Sequence, residues 1–201
     1  MDIDLNYIGA VERETMLADK LKVEQAVQAV CSREGLAVKR VPTDHAGGKW
    51  RLTYVGTKGT PGNLELDINF MLRTPLWPCV NKDCHPVGSL RAAPVRMLDL
   101  HELTAGKLAA LLARSASRDV FDVWHFLKNR WPINKEIVER RTKSSLKDYL
   151  EKCIKFVEAL SDRAILAGIG ELIDASQKAW IKAHLKEDTA FLLKVRLEQE
   201  N

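Results

Sequence analysis

Between residues 63 and 72, Leu64, Leu66, Ile68 and Phe70 alternate with Glu65, Asp67 and Asn69. A strict period of two admits a strand buried on one face, and it sets Asp67 between two polar neighbours on the other. The first residues repeat the pattern in miniature. In Asp2-Ile3-Asp4-Leu5 the two carboxylates point one way, and Ile3 and Leu5 are expected to enter a core. Residues 36–41 and 49–55 flank a turn-rich segment with Pro42, Asp44, Gly47 and Gly48, which predicts an antiparallel hairpin. Between the first strand and that hairpin, residues 12–33 read as a helix with an apolar stripe of Leu17, Leu21, Ala26, Val27 and Val30, stopped by Gly35.

Residues 73–94 are rich in Pro and lack periodicity, so they read as a long irregular connection. Beyond Leu98 the period becomes helical, with helices expected at 100–113, 118–128, 135–141 and 146–160 and further ones to the C-terminus. The order strand, helix, strands, helices indicates an α+β domain over 1–95 followed by an α-helical domain over 96–201. Hydrophobic residues at 46% beside 29% charged exclude a disordered chain. No apolar run approaches a membrane span and the start lacks a signal-peptide pattern, so the expected compartment is the cytoplasm, with no membrane partner. Cys31, Cys79, Cys84 and Cys153 are too scattered for a disulfide framework and read as reduced thiols. The net charge of +4 does not by itself identify a nucleic-acid binder. Lys135, Arg140, Arg141, Lys143, Lys147, Lys152 and Lys155 do gather in the second half, but acids interleave with them, as on a solvated helix surface.

Alone, Asp2 and Asp4 read first as solvated acids at a fraying chain end. With Asp67 on a neighbouring strand they become three carboxylates able to converge on one or two metal ions. Hard oxygen ligands suit Mg²⁺, and paired ions would neutralise a triphosphate and stabilise leaving pyrophosphate. In the helical half, Lys107 sits alone in the apolar stretch 103–111 and either snorkels outward or faces a cleft as a phosphate ligand. Asp119 and Asp122, three apart, lie on one helix face, where early-turn acids also complement the helix dipole, with Arg118 as a surface partner. Rival sites are weaker. Cys79, Cys84 and His85, with His101 as a fourth ligand, lack the second pair of a zinc site. Trp124, His125, Trp131 and Trp180 read as packing residues rather than stacking platforms.

Asp2-Ile3-Asp4-Leu5, Leu66-Asp67-Ile68-Asn69 with Arg73-Thr74-Pro75-Leu76, and Lys107 followed by Arg118-Asp119-Val120-Phe121-Asp122 together resemble the AbiEii/AbiGii-type nucleotidyltransferase toxins of the DNA polymerase β-like superfamily. The resemblance runs from the first residue to about Lys128. It implies a nucleotidyltransferase-like mixed sheet with flanking helices, followed by a helical lobe, and transfer of NMP from an NTP to an acceptor such as tRNA or another RNA. By the same resemblance Asp2, Asp4 and Asp67 would hold Mg²⁺ in a two-metal site, with Asp67 also polarising the acceptor hydroxyl. Lys107 would meet nucleotide phosphate, and Asp119 and Asp122, supported by Arg118, would complete the site from the helical lobe. A cognate antitoxin is the implied protein partner. Relatives carry a Gly-Gly-Ser/Thr-type turn upstream of Asp-x-Asp, so the chain reads as N-terminally shortened. The alternative expectation is a catalytically impaired remnant or non-catalytic interaction protein that keeps the fold.

Overall fold

The first β-strand, β1 (Asp2–Asn6), is followed by helix α1 (Arg13–Arg33) and then β2 (Ala37–Val41), β3 (Gly47–Val55) and β4 (Pro61–Asn69). The computed structural model describes residues 2–41, 47–71, 75–85, 92–114, 116–166, 169 and 173–200, without the side chains of Asp2 and Asp162. Pro42, Asp44, Arg73 and Thr74, which figured in the expected turn and in the family motif, lie outside the described residues. Two units are distinguishable, Met1–Pro75 and Leu76–Asn201.

In the first unit the sheet order is β1-β4-β3-β2, with β1 parallel to β4 and the other pairs antiparallel. One face carries Leu64, Leu66 and Ile68 of β4 with Trp50 and Leu52 of β3, and α1 packs on it through Met16 and Cys31. The α1 stripe differs from the expected one. Leu21 and Val30 are exposed and Ala26 also faces out, while Met16, Lys20, Val23, Val27 and Cys31 face in. The inward set follows the i, i+4, i+7, i+11, i+15 rhythm, and the lysine within it hid the stripe. Lys20 is tolerated there because its Nζ donates to the Gly47 carbonyl at 2.8 Å and lies 5.4 Å from the centre of the Phe70 ring, over its face. Gly35, at φ +68°, ends the helix: Leu36 N–H donates to Cys31 O and Gly35 N–H to Ser32 O, the paired bonds of a Schellman motif.

Ile3 and Leu5 correct a second expectation, being 41% and 46% exposed. β1 is the edge of the sheet, and the buried cluster beneath α1 is built from β3 and β4, so alternation alone misassigned the outermost strand. β4 ends at Asn69, whose side chain accepts from Met71 N–H at 2.8 Å and turns the chain out of the ladder.

The second unit opens with a hairpin of β5 (Val80–Cys84) and β6 (Ala93–Met97), where a structureless connection was expected. The strands were invisible to periodicity because both faces are mostly exposed, and Pro94 is accommodated at the end of the pairing opposite Asp83. Helices follow: α2 (Leu100–Arg114), α3 (Ser117–Lys128), α4 (Lys135–Thr142), α5 (Leu146–Ala159), α6 (Asp162–Ile165) and α7 (Ala175–Trp180). A π-helical turn, Ile181–Leu185, joins α7 to α8 (Lys186–Glu198). The core interleaves Leu108 and Leu111 of α2, Val123 of α3, Ile137 of α4, Leu150 of α5 and Leu193 of α8. Asn134, Ser145 and Asp174 cap α4, α5 and α7 by accepting backbone N–H bonds, each at the boundary that the sequence pattern predicts or within the C-terminal helices it left open. Among the described residues no helix is long and apolar enough to cross a membrane.

Candidate active site

The polar face of the first unit is a ladder of charge. Register pairing places Asp2 beside Glu65, Asp4 beside Asp67 and Asn6 beside Asn69, and across the antiparallel junction Lys49 beside Asp67 and Arg51 beside Glu65. Paired strands lie about 4.8 Å apart, so Asp4 and Asp67 are immediate neighbours on one face. Their mutual repulsion is countered by Lys49, whose Nζ lies 2.7 Å from Glu65 and 3.6 Å from Asp67. Arg51 adds a contact to Glu65 at 3.3 Å. The hydrogen bond to Glu65 raises Lys49 above its ordinary pKa, and the bonds from Lys49 and then Arg51 lower Glu65 below the usual carboxylate range. Asp67 keeps 48% of its side chain exposed. Among the described residues the donors on this face are carboxylate and amide oxygens without thiol or imidazole, a set that fits a hard divalent cation. Among the described residues no three His, Cys, Asp or Glu side chains gather into a ready-made ligand cluster, and Asp2 is outside that description.

In the second unit, Lys107 on α2 reaches across to α3 and its Nζ meets Asp122 Oδ2 at 2.6 Å, with both side chains partly exposed. The lysine therefore snorkels outward to a carboxylate. Asp119, three residues before Asp122, does not share that exposure. A helix turns about 100° per residue, so the two positions diverge by about 60°, enough to put one at the rim and one inside. Asp119 is fully buried, its Oδ1 accepts from Arg114 at 2.8 Å, and its Oδ2 has no hydrogen-bond partner among the described residues. The supporting guanidinium is thus Arg114, while Arg118 is exposed on the surface of α3. Arg114 escaped notice because its partner lies across the break between α2 and α3, where helical spacing rules do not apply.

Glu102 is a further position whose role the sequence left unread. It is 1% exposed, pairs with Arg141 of α4, and accepts from the Leu76 and Trp77 backbone N–H groups, the latter at 3.0 Å. The available signal was its place on the α2 stripe, three residues before buried Ala105, since a carboxylate on a core stripe requires partners. The zinc alternative finds no geometry. The extended chain from Cys79 to Cys84 spans about 16 Å at strand rise. His101 is engaged elsewhere, its Nδ1 2.6 Å from Asp99 and its ring stacked on Trp77.

The family model described as "Nucleotidyl transferase AbiEii toxin, Type IV TA system" matches residues 1–194. Among solved structures, MenT4, a nucleotidyltransferase toxin from Mycobacterium tuberculosis, is 19% identical and superposes with a TM-score of 0.53, covering 94% of this chain and 68% of that one. JHP933 from Helicobacter pylori is 15% identical with a TM-score of 0.43, covering 82% and 68%. At these identities the likeness to MenT4 speaks to the fold. Among curated proteins none matches significantly.

Proposed function

This chain belongs to the AbiEii nucleotidyltransferase toxin family and is a transferase of that class, and from that premise we propose that it moves a nucleoside monophosphate from an NTP to a hydroxyl of an RNA acceptor, with Mg²⁺ as cofactor. The observation that carries the metal assignment is the register pairing of Asp4 with Asp67, flanked by Asp2 and Glu65, on one oxygen-rich sheet face. In this reading Asp2, Asp4 and Asp67 hold the cation. When bound it would neutralise the triphosphate and stabilise the departing pyrophosphate.

The remaining work falls to side chains. Asp67, half exposed, accepts the proton of the acceptor hydroxyl as that oxygen attacks the α-phosphorus. The bond from the α-phosphorus to the bridging oxygen then breaks, and pyrophosphate leaves with the electron pair. Lys107 exchanges its Asp122 partner for a phosphate oxygen, and Asp122 holds the ammonium in place until it does so. Asp119, anchored by Arg114, fixes the first turn of α3 from inside, and exposed Arg118 is free to turn to phosphate. The functional division is an α+β nucleotidyltransferase domain through residue 95 and a helical domain beyond it. The cytoplasm, and partnership with a cognate antitoxin, complete the reading.

The test is label transfer from radiolabelled NTPs to an RNA pool with Mg²⁺ present or chelated. Transfer should require the metal and disappear in Asp67→Ala. Full activity in that variant sinks the assigned mechanism.

A further inference from the structure

Three of the five tryptophans of the chain fall in two stretches that contain no acid, 123–135 and 175–186. The stretches carry Lys128, Arg130, Lys135, Lys178, Lys182 and Lys186, together with His125 and His184. Although 39 residues separate them in sequence, the second unit packs them together. Trp124 of α3 and Trp180 at the end of α7 lie ring to ring at 4.8 Å. From that pair the rings continue both ways: Trp180 to His184 at 5.9 Å, Trp124 to His125 at 6.4 Å, and His125 to Trp131 edge-on at 5.4 Å. Lys128 Nζ sits 4.5 Å over the Trp124 ring.

Trp124 and Trp180 pack against the helical core, as the sequence pattern predicts, with part of each ring left at the surface; core packing does not account for exposed Trp131, His125 and His184. The buried side of α3 is Val120, Val123 and Phe126, and that of the π-helical turn is Ile181 and Leu185. Trp124 and Trp180 are only half-buried, Trp131 is 38% exposed, and both histidines face outward. The π-helical turn itself carries His184, and such turns recur at functional sites. A row of rings fringed by cations has the chemistry of single-stranded nucleic acid recognition: bases stack on the rings, and lysine and arginine take the phosphates. A duplex hides its base faces, and an acidic peptide would use the cations but leave the rings unexplained. The ribbon also passes near the Lys107 partner, because His125 follows Asp122 by three residues on α3.

We propose that the ribbon His184, Trp180, Trp124, His125 and Trp131, with Lys128 and Lys182, is the docking surface for unpaired nucleotides of the RNA acceptor. The inference rests on the reading of the acceptor as RNA. It is tested by binding, apart from transfer, with a labelled unstructured RNA of about 12 nucleotides, within the usual site size, and with the same strand in a blunt duplex. The single strand should quench tryptophan fluorescence and bind at least about tenfold tighter than the duplex. Trp131→Leu and the double variant His125→Ala/His184→Ala should each weaken it about tenfold, the loss expected for one stacked base. Lys128→Gln/Lys182→Gln, at exposed positions that leave the core intact, should lower the slope of log affinity against log salt by one to two, about one per phosphate contact. Unchanged affinity across these variants, or equal binding of duplex and single strand, overturns the proposal. Calorimetric NTP binding by wild type and Lys107→Ala is read separately. Equal NTP affinity there counts against the phosphate role of Lys107 and leaves the RNA result standing.

Discussion

Replacing Glu102 with alanine removes a carboxylate that ties α2 to α4 and to the chain entering the second unit. The side chain is buried, its partner Arg141 is only 21% exposed, and the Leu76 and Trp77 N–H groups converge on the same carboxyl oxygen. Breaking a buried ion pair from one side costs about 3–5 kcal/mol, because the remaining charge is left without compensation. Partial access of Arg141 to water reduces that figure, while two orphaned N–H donors raise it by about 1–3 kcal/mol each where they stay dry. Trp77 is exposed enough for its backbone to recover water, so the expected net loss is about 3–4 kcal/mol. With a urea slope of about 2 kcal/mol/M, the midpoint falls by about 1.5–2 M. Tryptophan fluorescence follows this unit directly, since Trp77, Trp124, Trp131 and Trp180 lie in it. Glu102→Gln keeps an oxygen for the N–H groups and should lose roughly half as much. The double variant Glu102→Leu/Arg141→Met, which removes both charges, should recover most of the stability. A midpoint for Glu102→Ala within about 0.5 M of wild type would falsify the hub, since it would place the loss at about 1 kcal/mol or less.

The charge ladder predicts a pH window. Glu65 is held below its ordinary 4.5, so its contribution is present above that value and fades as pH falls through the lowered one. Lys49 is raised above 10.5, so its contribution is complete below that value and is lost as pH climbs through the raised one. Burial raises the Cys31 thiol above its ordinary 9.0, so its contribution fades as pH climbs past that value, ahead of Lys49. Denaturation of the first unit, followed through Trp50, should therefore be flat from about pH 5 to 8, with an acid slope that Glu65→Gln reduces; an unchanged slope in that variant refutes the assignment. Cysteine chemistry should divide by burial. The Cys153 thiol is pushed up to about 12 and Cys84 is exposed, so mass spectrometry after brief alkylation should find Cys84 modified and Cys153 untouched until urea unfolds the unit. Early modification of Cys153 would contradict the packing of α5.

Local rules of period and capping suffice for the element list wherever one of them governs a long stretch. The α2, α3, α4 and α5 boundaries fall within a residue or so of expectation because helical period and Asn134 and Ser145 caps are local facts. The β4 alternation correctly set Asp67 on the polar face, and Gly35 correctly stopped α1. What failed or stayed silent depended on neighbours distant in sequence. Whether Ile3 and Leu5 are covered depends on where α1 lies across the sheet, which no property of β1 encodes. The hairpin of β5 and β6 has no buried face, so it leaves no hydrophobic signature. Asp119 and Asp122 look alike in sequence, and only the packing of α3 against α2 made one a buried anchor for Arg114 and the other a half-exposed partner of Lys107. The same holds for the pairing of Asp4 with Asp67 and of Trp124 with Trp180, because a contact across dozens of residues is chosen by the burial of the whole unit and not by the residues that meet.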